Sequence, residues 1–131
     1  MAELRITDLG LAAAARGLCS ALDATGAAGA LEFYDQEGGA LLARLRFNNP
    51  AAVEFTGGVV KFSGITPELD APGKGRATWA RAMDSDGNVI FECDVGQKGK
   101  GAIIQLEEDD FVRKGDLLRV SEFSMTIKQA G

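Results

Sequence analysis

Asp84, Asp86 and Asn88 alternate through DSDGN (84–88), a spacing that imitates the oxygen ligands opening a calcium loop. The remainder of such a loop is wanting. Glycine falls at the fourth position rather than the sixth, and Val95 stands twelfth, where a bidentate glutamate is needed. The competing reading of the same residues is a hairpin turn, type I across Ser85 and Asp86, with Gly87 taking the positive φ of the bulge that follows. The turn is the expectation adopted. Trp79, the only tryptophan, and Cys93 stand on either side of it. An indole can stack on a ligand or fill a core; core is the expectation, with Arg81 lying over an aromatic ring or at a subunit contact.

No histidine occurs among the 131 residues. That removes Ser–His–Asp and Cys–His nucleophiles, His-ligated zinc and the usual acid/base group near neutral pH. Carboxylate or lysine chemistry stays open, but nothing in the sequence pairs such groups. Cys19 and Cys93 stand singly, without metal or redox spacing, and read as two buried thiols rather than a disulfide. GQKGKG (96–101) lacks the glycine spacing and the Lys-Ser/Thr of a phosphate loop. EEDD (107–110) reads as a solvated bend, ahead of a cation site or a docking contact for a basic partner. No catalytic residue, cofactor or metal is expected. A net charge of −5 argues against a nucleic-acid partner, which would require a basic surface. In LGLAAAARGLCSAL (9–22), the acidic flank residues Glu3 and Asp8 and the interruption at Arg16 argue against a leader segment. No run approaches the roughly 18 apolar residues of a membrane span, so a soluble protein with no membrane partner is expected.

The elements that position these residues follow from hydrophobic period. Thr7 or Asp8 caps a helix over about 8–23, with Leu11, Ala15, Leu18 and Leu22 in one stripe beside Cys19. From residue 30 the period changes to two. Strands are expected at 30–35 and 40–47, the latter with Leu41, Ala43, Leu45 and Phe47 on one face and Leu42, Arg44 and Arg46 on the other. Pro50 precedes a short edge-like piece. Residues 59–63 form a strand with Val60 and Phe62 inward. GITPELDAPGKG (64–75) and GQKGKG are the long loops, and 102–106 is a strand. The hairpin turn sets Met83 against Val89, Arg81 against Phe91, Trp79 against Cys93 and Ala77 against Val95, as the interior face. In the last strand (117–128), Leu118 and Val120 have one parity and Phe123, Met125 and Ile127 the other. A bulge near residues 121–122 is expected to reset the alternation. With 17 glycines and 3 prolines, the 131 residues read as one mainly β domain (1–131). The expected fold is a β-sandwich or open β-barrel of about seven strands, led by the α-helix.

Taken in order, GALEFYD, LLARLRF, NNPA, GGVVKF, GRATWARAMDSDGNVIFECDVG and GDLLRVSEFSMTI resemble a family of small virion proteins of tailed bacteriophages and prophages, over about residues 8–128. The chain departs from that pattern at Ala80 and Ala82, where bulkier apolar residues are expected, and in its charged GQKGKG and EEDDFVRK. The resemblance implies a capsid decoration or cement protein on the outer head surface, made in the host cytoplasm and carried on the virion. Its partner would be the major capsid protein or another virion protein, and it would act as a homo-oligomer. A tail, head–tail joint or fibre-associated role is the neighbouring reading. A free β-sandwich ligand-binding module is the contrasting one. Candidate contacts, chosen as irregular and charged, are Met1, Ala2, Glu3, Leu4 and Arg5 in the N-terminal arm, Lys74 and Arg76 in the first loop, Lys98 and Lys100 in the second, and Glu107 and Glu108 in the acidic bend.

Overall fold

The computed structural model describes residues 5–49, 51–56, 59–62, 65–106 and 110–126. Helix α1 (Asp8–Leu22) begins where the Thr7 hydroxyl accepts the Gly10 N–H at 3.3 Å, satisfying one of the orphan donors of the first turn. Its buried stripe is Ala12, Ala15, Cys19 and Leu22, with Leu11 and Leu18 half-buried on its flanks. Ten strands follow among the described residues: β1 (Ala30–Tyr34), β2 (Leu41–Arg46), β3 (Ala52–Thr56), β4 (Val59–Phe62), β5 (Gly75–Arg76), β6 (Trp79–Met83), β7 (Val89–Gln97), β8 (Ile104–Leu106), β9 (Phe111–Val112) and β10 (Val120–Thr126). Eight of them form one sheet in the order β2-β1-β6-β7-β8-β10-β4-β3, and β5 pairs with β9 in a small ribbon. The mainly β expectation with a leading helix holds, and the sheet takes the open-barrel form, curled into a half-barrel.

Aromatic packing draws the sheet into its curl. Phe47, just beyond β2 at one edge, packs on Phe62 of β4 near the other edge at 5.5 Å between ring centroids, and on Phe123 of β10 at 6.4 Å. Phe91 of β7 completes the cluster at 6.1 Å from both Phe62 and Phe123. Helix α1 packs against β3, β4 and β7 and sinks Leu22 and Cys19 into the same core. The inward face of β1 carries Phe33 and Leu31 between Ala43 and Leu45 of β2 and Ala80 and Ala82 of β6. Ala80 and Ala82 are small because the bulky residues of β1 fill the layer beside them.

Shifts of register decide which side chains face out. In β10, Val120 pairs with Leu106 and Glu122 with Gln105, so Ser121 is the extra residue and both Leu118 and Phe123 are buried. This is the bulge the alternation calls for; Ile127 and the side chain of Met125 lie outside the described residues. The second is a correction. Met83 does pair with Val89, but a bulge at Ile90 then sets Ala82 against Phe91, Arg81 against Glu92, Ala80 against Cys93 and Trp79 against Asp94. Of the expected interior face, Phe91, Cys93, Val95 and Ala77 turn to the core, whereas Val89, ahead of the bulge, is 45% exposed. The β6 half is reversed. Trp79 is therefore half-buried on the outer face and not in the core. The reason is physical: the turn keeps its own register, but Phe91 joins the ring cluster, and holding Trp79 inside would also bury Arg81. Leu41 likewise faces out, 38% exposed, because a bulge between Phe33 and Tyr34 shifts the end of β2.

Candidate functional site

The hairpin turn is built by hydrogen bonds, with little room for an ion. The Asp84 Oδ1 accepts the N–H groups of Asp86 at 3.0 Å and Asn88 at 2.9 Å, and its Oδ2 accepts the Asn88 side-chain amide at 3.0 Å. Gly87, at φ 88°, closes the turn by donating to the Asp84 carbonyl. The Asn88 amide, and then the backbone donors, hold the Asp84 carboxyl below the usual carboxylate range. A cation here would have to displace three N–H donors from one carboxylate. Among the described residues no group of three or more Cys, Asp or Glu side chains is placed to hold a metal. The two thiols are free, and burial raises Cys19 to about 11 and Cys93 to about 12, so neither is a ready nucleophile at neutral pH.

The first charged loop is a tied ribbon. Glu68 and Leu118 exchange backbone hydrogen bonds, Ala71 bonds with Asp116 and Gly115, β5 pairs with β9, and the Ala77 N–H reaches the Asp110 carbonyl at 2.8 Å. The segment is thereby zipped to residues 110–118 along much of its length. It also docks on the edge of β2, through Thr66 to Arg46, Glu68 Oε1 to the Arg44 N–H at 3.2 Å, and the Gly73 N–H to the Leu42 carbonyl at 3.2 Å. Gly73 is required there, since a Cβ would collide with the Leu41 carbonyl. Between ribbon and β2 lies an open groove of about 390 Å³, with Arg44, Arg46, Glu68 and Asp70 on its walls and Leu69, 69% exposed, at its rim.

The candidate contact residues fall on separate segments. Lys74 and Arg76 stand exposed on the ribbon, and Arg76 is ion-paired to Asp110. Lys98 and Lys100 are exposed in the turn between β7 and β8, which pair in parallel. That turn is held by the Asp94 carboxylate, accepting the Ile103 N–H at 2.8 Å, and by the Gln105 amide oxygen, accepting the Gly99 N–H at 3.1 Å. Arg5 is exposed ahead of the helix. Met1, Ala2, Glu3, Leu4, Glu107 and Glu108 lie outside the described residues.

A second surface was not apparent from the sequence. Across four adjacent strands, directly opposed residues on the outer face run Arg44, Glu32, Arg81, Glu92. The charges alternate. Arg44 lies 3.7 Å from Glu32, and Arg81 Nε donates to Glu92 Oε1 at 3.0 Å. The Trp79 indole donates to the same Glu92 oxygen at 3.0 Å, which is the first cause holding that carboxyl below its usual range. Tyr34 donates to Glu32 at 2.6 Å beneath the Arg81 guanidinium, 5.3 Å from the ring centroid, as expected of an arginine over an aromatic ring. Burial, and then the Glu32 bond, push Tyr34 up to about 12. The signal available in sequence was the alternation of charge in LEFY, ARLR and WARAM, but it becomes a ladder only once the strands are adjacent. Comparison with known proteins finds no matching family model, no matching curated protein and no matching solved structure.

Proposed function

We propose that this chain is a structural protein of a tailed-bacteriophage virion, a decoration or cement protein that binds the outer face of the head. Its partner is the major capsid protein and it acts as a homo-oligomer, made in the host cytoplasm and carried on the capsid surface. The order of motifs over about residues 8–128 supports the reading. The observation that carries it is the ribbon of residues 65–77 and 110–118, whose backbone is tied at both ends while Lys74, Leu69 and the Arg76–Asp110 pair stand out from it. A charged segment held in place loses little conformational freedom on docking, so more of each contact survives as affinity. A rigid domain touching several shell subunits at once adds weak contacts through effective concentration. Such work needs no catalytic group, and binding through these surfaces involves neither nucleic acid nor membrane.

Purified protein incubated with empty heads of its phage should co-sediment with them, and cryo-electron microscopy should place its density on the capsid surface at symmetry axes. Density at the neck or tail instead assigns the neighbouring role of tail, joint or fibre component. Failure to bind any particle, with a response of Trp79 fluorescence to glycans, would move the chain to the ligand-binding reading. Reversing Lys74, which stands exposed on the ribbon, to glutamate should weaken particle binding several-fold with little change in melting temperature.

A further inference from the structure

The outer face of β2, β1, β6 and β7 is self-complementary, and the geometry points to a dimer of this chain stacked through it. A two-fold axis running along the strands, between β1 and β6, reverses the order of the columns. It sets β1 over the partner's β6 and β2 over the partner's β7. In the charged row Glu32 then meets the partner's Arg81, and Arg44 meets the partner's Glu92. In the row beside it Tyr34 meets the partner's Trp79, ring against ring. The charged row and the aromatic row thus find their complements across the axis. A two-fold running across the strands does the opposite, laying Arg44 on the partner's Arg44 and Arg81 on the partner's Arg81. The charge order thus selects one operator, and a two-fold closes on itself without leaving a free copy of the patch.

The side chains are disposed for it. The Arg44 side chain is 52% exposed and its carboxylate lies at 3.7 Å, which leaves donors for a second one. At the corners the same operator sets Leu41 over the partner's Asp94 and Arg46 over the partner's Val89, so the match lies in the charged row and the Tyr34–Trp79 row. Packed sheets align within about 30° of each other. With strands ~4.8 Å apart, the outer columns lie roughly 7 Å from the axis and shift by about 4 Å, within an arginine's reach. This goes beyond the shell-binding reading, which assigns no face to self-association, and its test contains no capsid.

Light scattering on the purified protein should give twice the 13.8 kDa chain mass, with dissociation promoted by salt. Arg44→Glu and Glu92→Arg should each fall to the monomer mass, because each sets like charges opposite one another at both ends of the row. An equimolar mixture of the two variants should regain the dimer. There the two introduced charges meet on one side and the native Glu92 and Arg44 meet on the other. As a measurement on the unaltered chain, Trp79 emission should shift to shorter wavelength as dilute protein is concentrated. A monomeric wild type, single variants that keep their mass, or monomeric variants whose mixture stays monomeric would each overturn the assignment. So would dimerisation that leaves Trp79 emission unchanged.

Discussion

Cys19 and Cys93 both face the core, one from the buried face of α1 and the other from the inward face of β7. Burial is the first cause that lifts each from 9.0, Cys19 to about 11 and Cys93 to about 12, with Asp23 and Asp94 adding to it. Tyr34 rises from 10.0 to about 12 through burial and its bond to Glu32. All three folded values exceed the unfolded ones, so the native chain holds protons that the unfolded chain releases as the medium turns alkaline. The contribution is intact below about pH 9 and is lost as pH climbs through about 11 and then about 12. Melting temperature followed by circular dichroism should be level near neutrality and fall steeply above that point, and Cys93→Ala should make the fall shallower. Thiol reagents should label the native protein slowly at neutral pH and at once in denaturant.

The elements of this protein are set by bulges as much as by its turns. A bulge changes which face every later side chain occupies, because the strand period is two. Ser121 is the extra residue in β10: with it looped out, Val120 stays opposite Leu106 and Phe123 opposite Ile104, and Phe123 stacks on Phe62 at 4.3 Å. Deleting Ser121 should therefore remove the bulge and keep the pairing on either side of it. The deletion should fold and keep the native circular-dichroism spectrum, whereas Phe123→Ala, which empties the ring cluster, should melt many degrees lower. The Ser121 bulge was legible because the apolar residues of 117–128 change parity within one strand. The Ile90 bulge was not. Both faces of the hairpin carry apolar residues, and only the position of Phe62 and Phe123, distant in sequence, makes the inward placement of Phe91 the better one.

For the whole molecule, the curl depends on contacts between strands that are far apart in the sheet order. Phe47 makes that closure: it is 2% exposed, touches Phe62 and Phe123, and takes the Gly29 carbonyl through its own N–H at 3.0 Å. Phe47→Ala should lower stability by about 3–5 kcal/mol, as truncation of a core aromatic does. That is a large share of the roughly 5–15 kcal/mol by which a domain of this kind is stable. Trp79→Ala, which removes a half-buried outer side chain, should cost less than half as much. Urea titration of both variants checks the contrast, and the opposite order would place the indole back in the interior.

The residues by themselves determined what is local: the Thr7-capped helix, the Asp84–Gly87 turn, the inward Val60 and Phe62, the parity change in the last strand, and the exclusion of histidine chemistry. These follow from capping, periodicity and side-chain inventory, all of which act over a few positions. The half-barrel, the parallel pairing of β7 with β8, the ribbon joining 65–77 to 110–118 and the Arg44–Glu32–Arg81–Glu92 row were decided only by the tertiary structure. Each depends on which strands become neighbours, and that choice is made by the burial of Phe47, Phe62, Phe91 and Phe123 together.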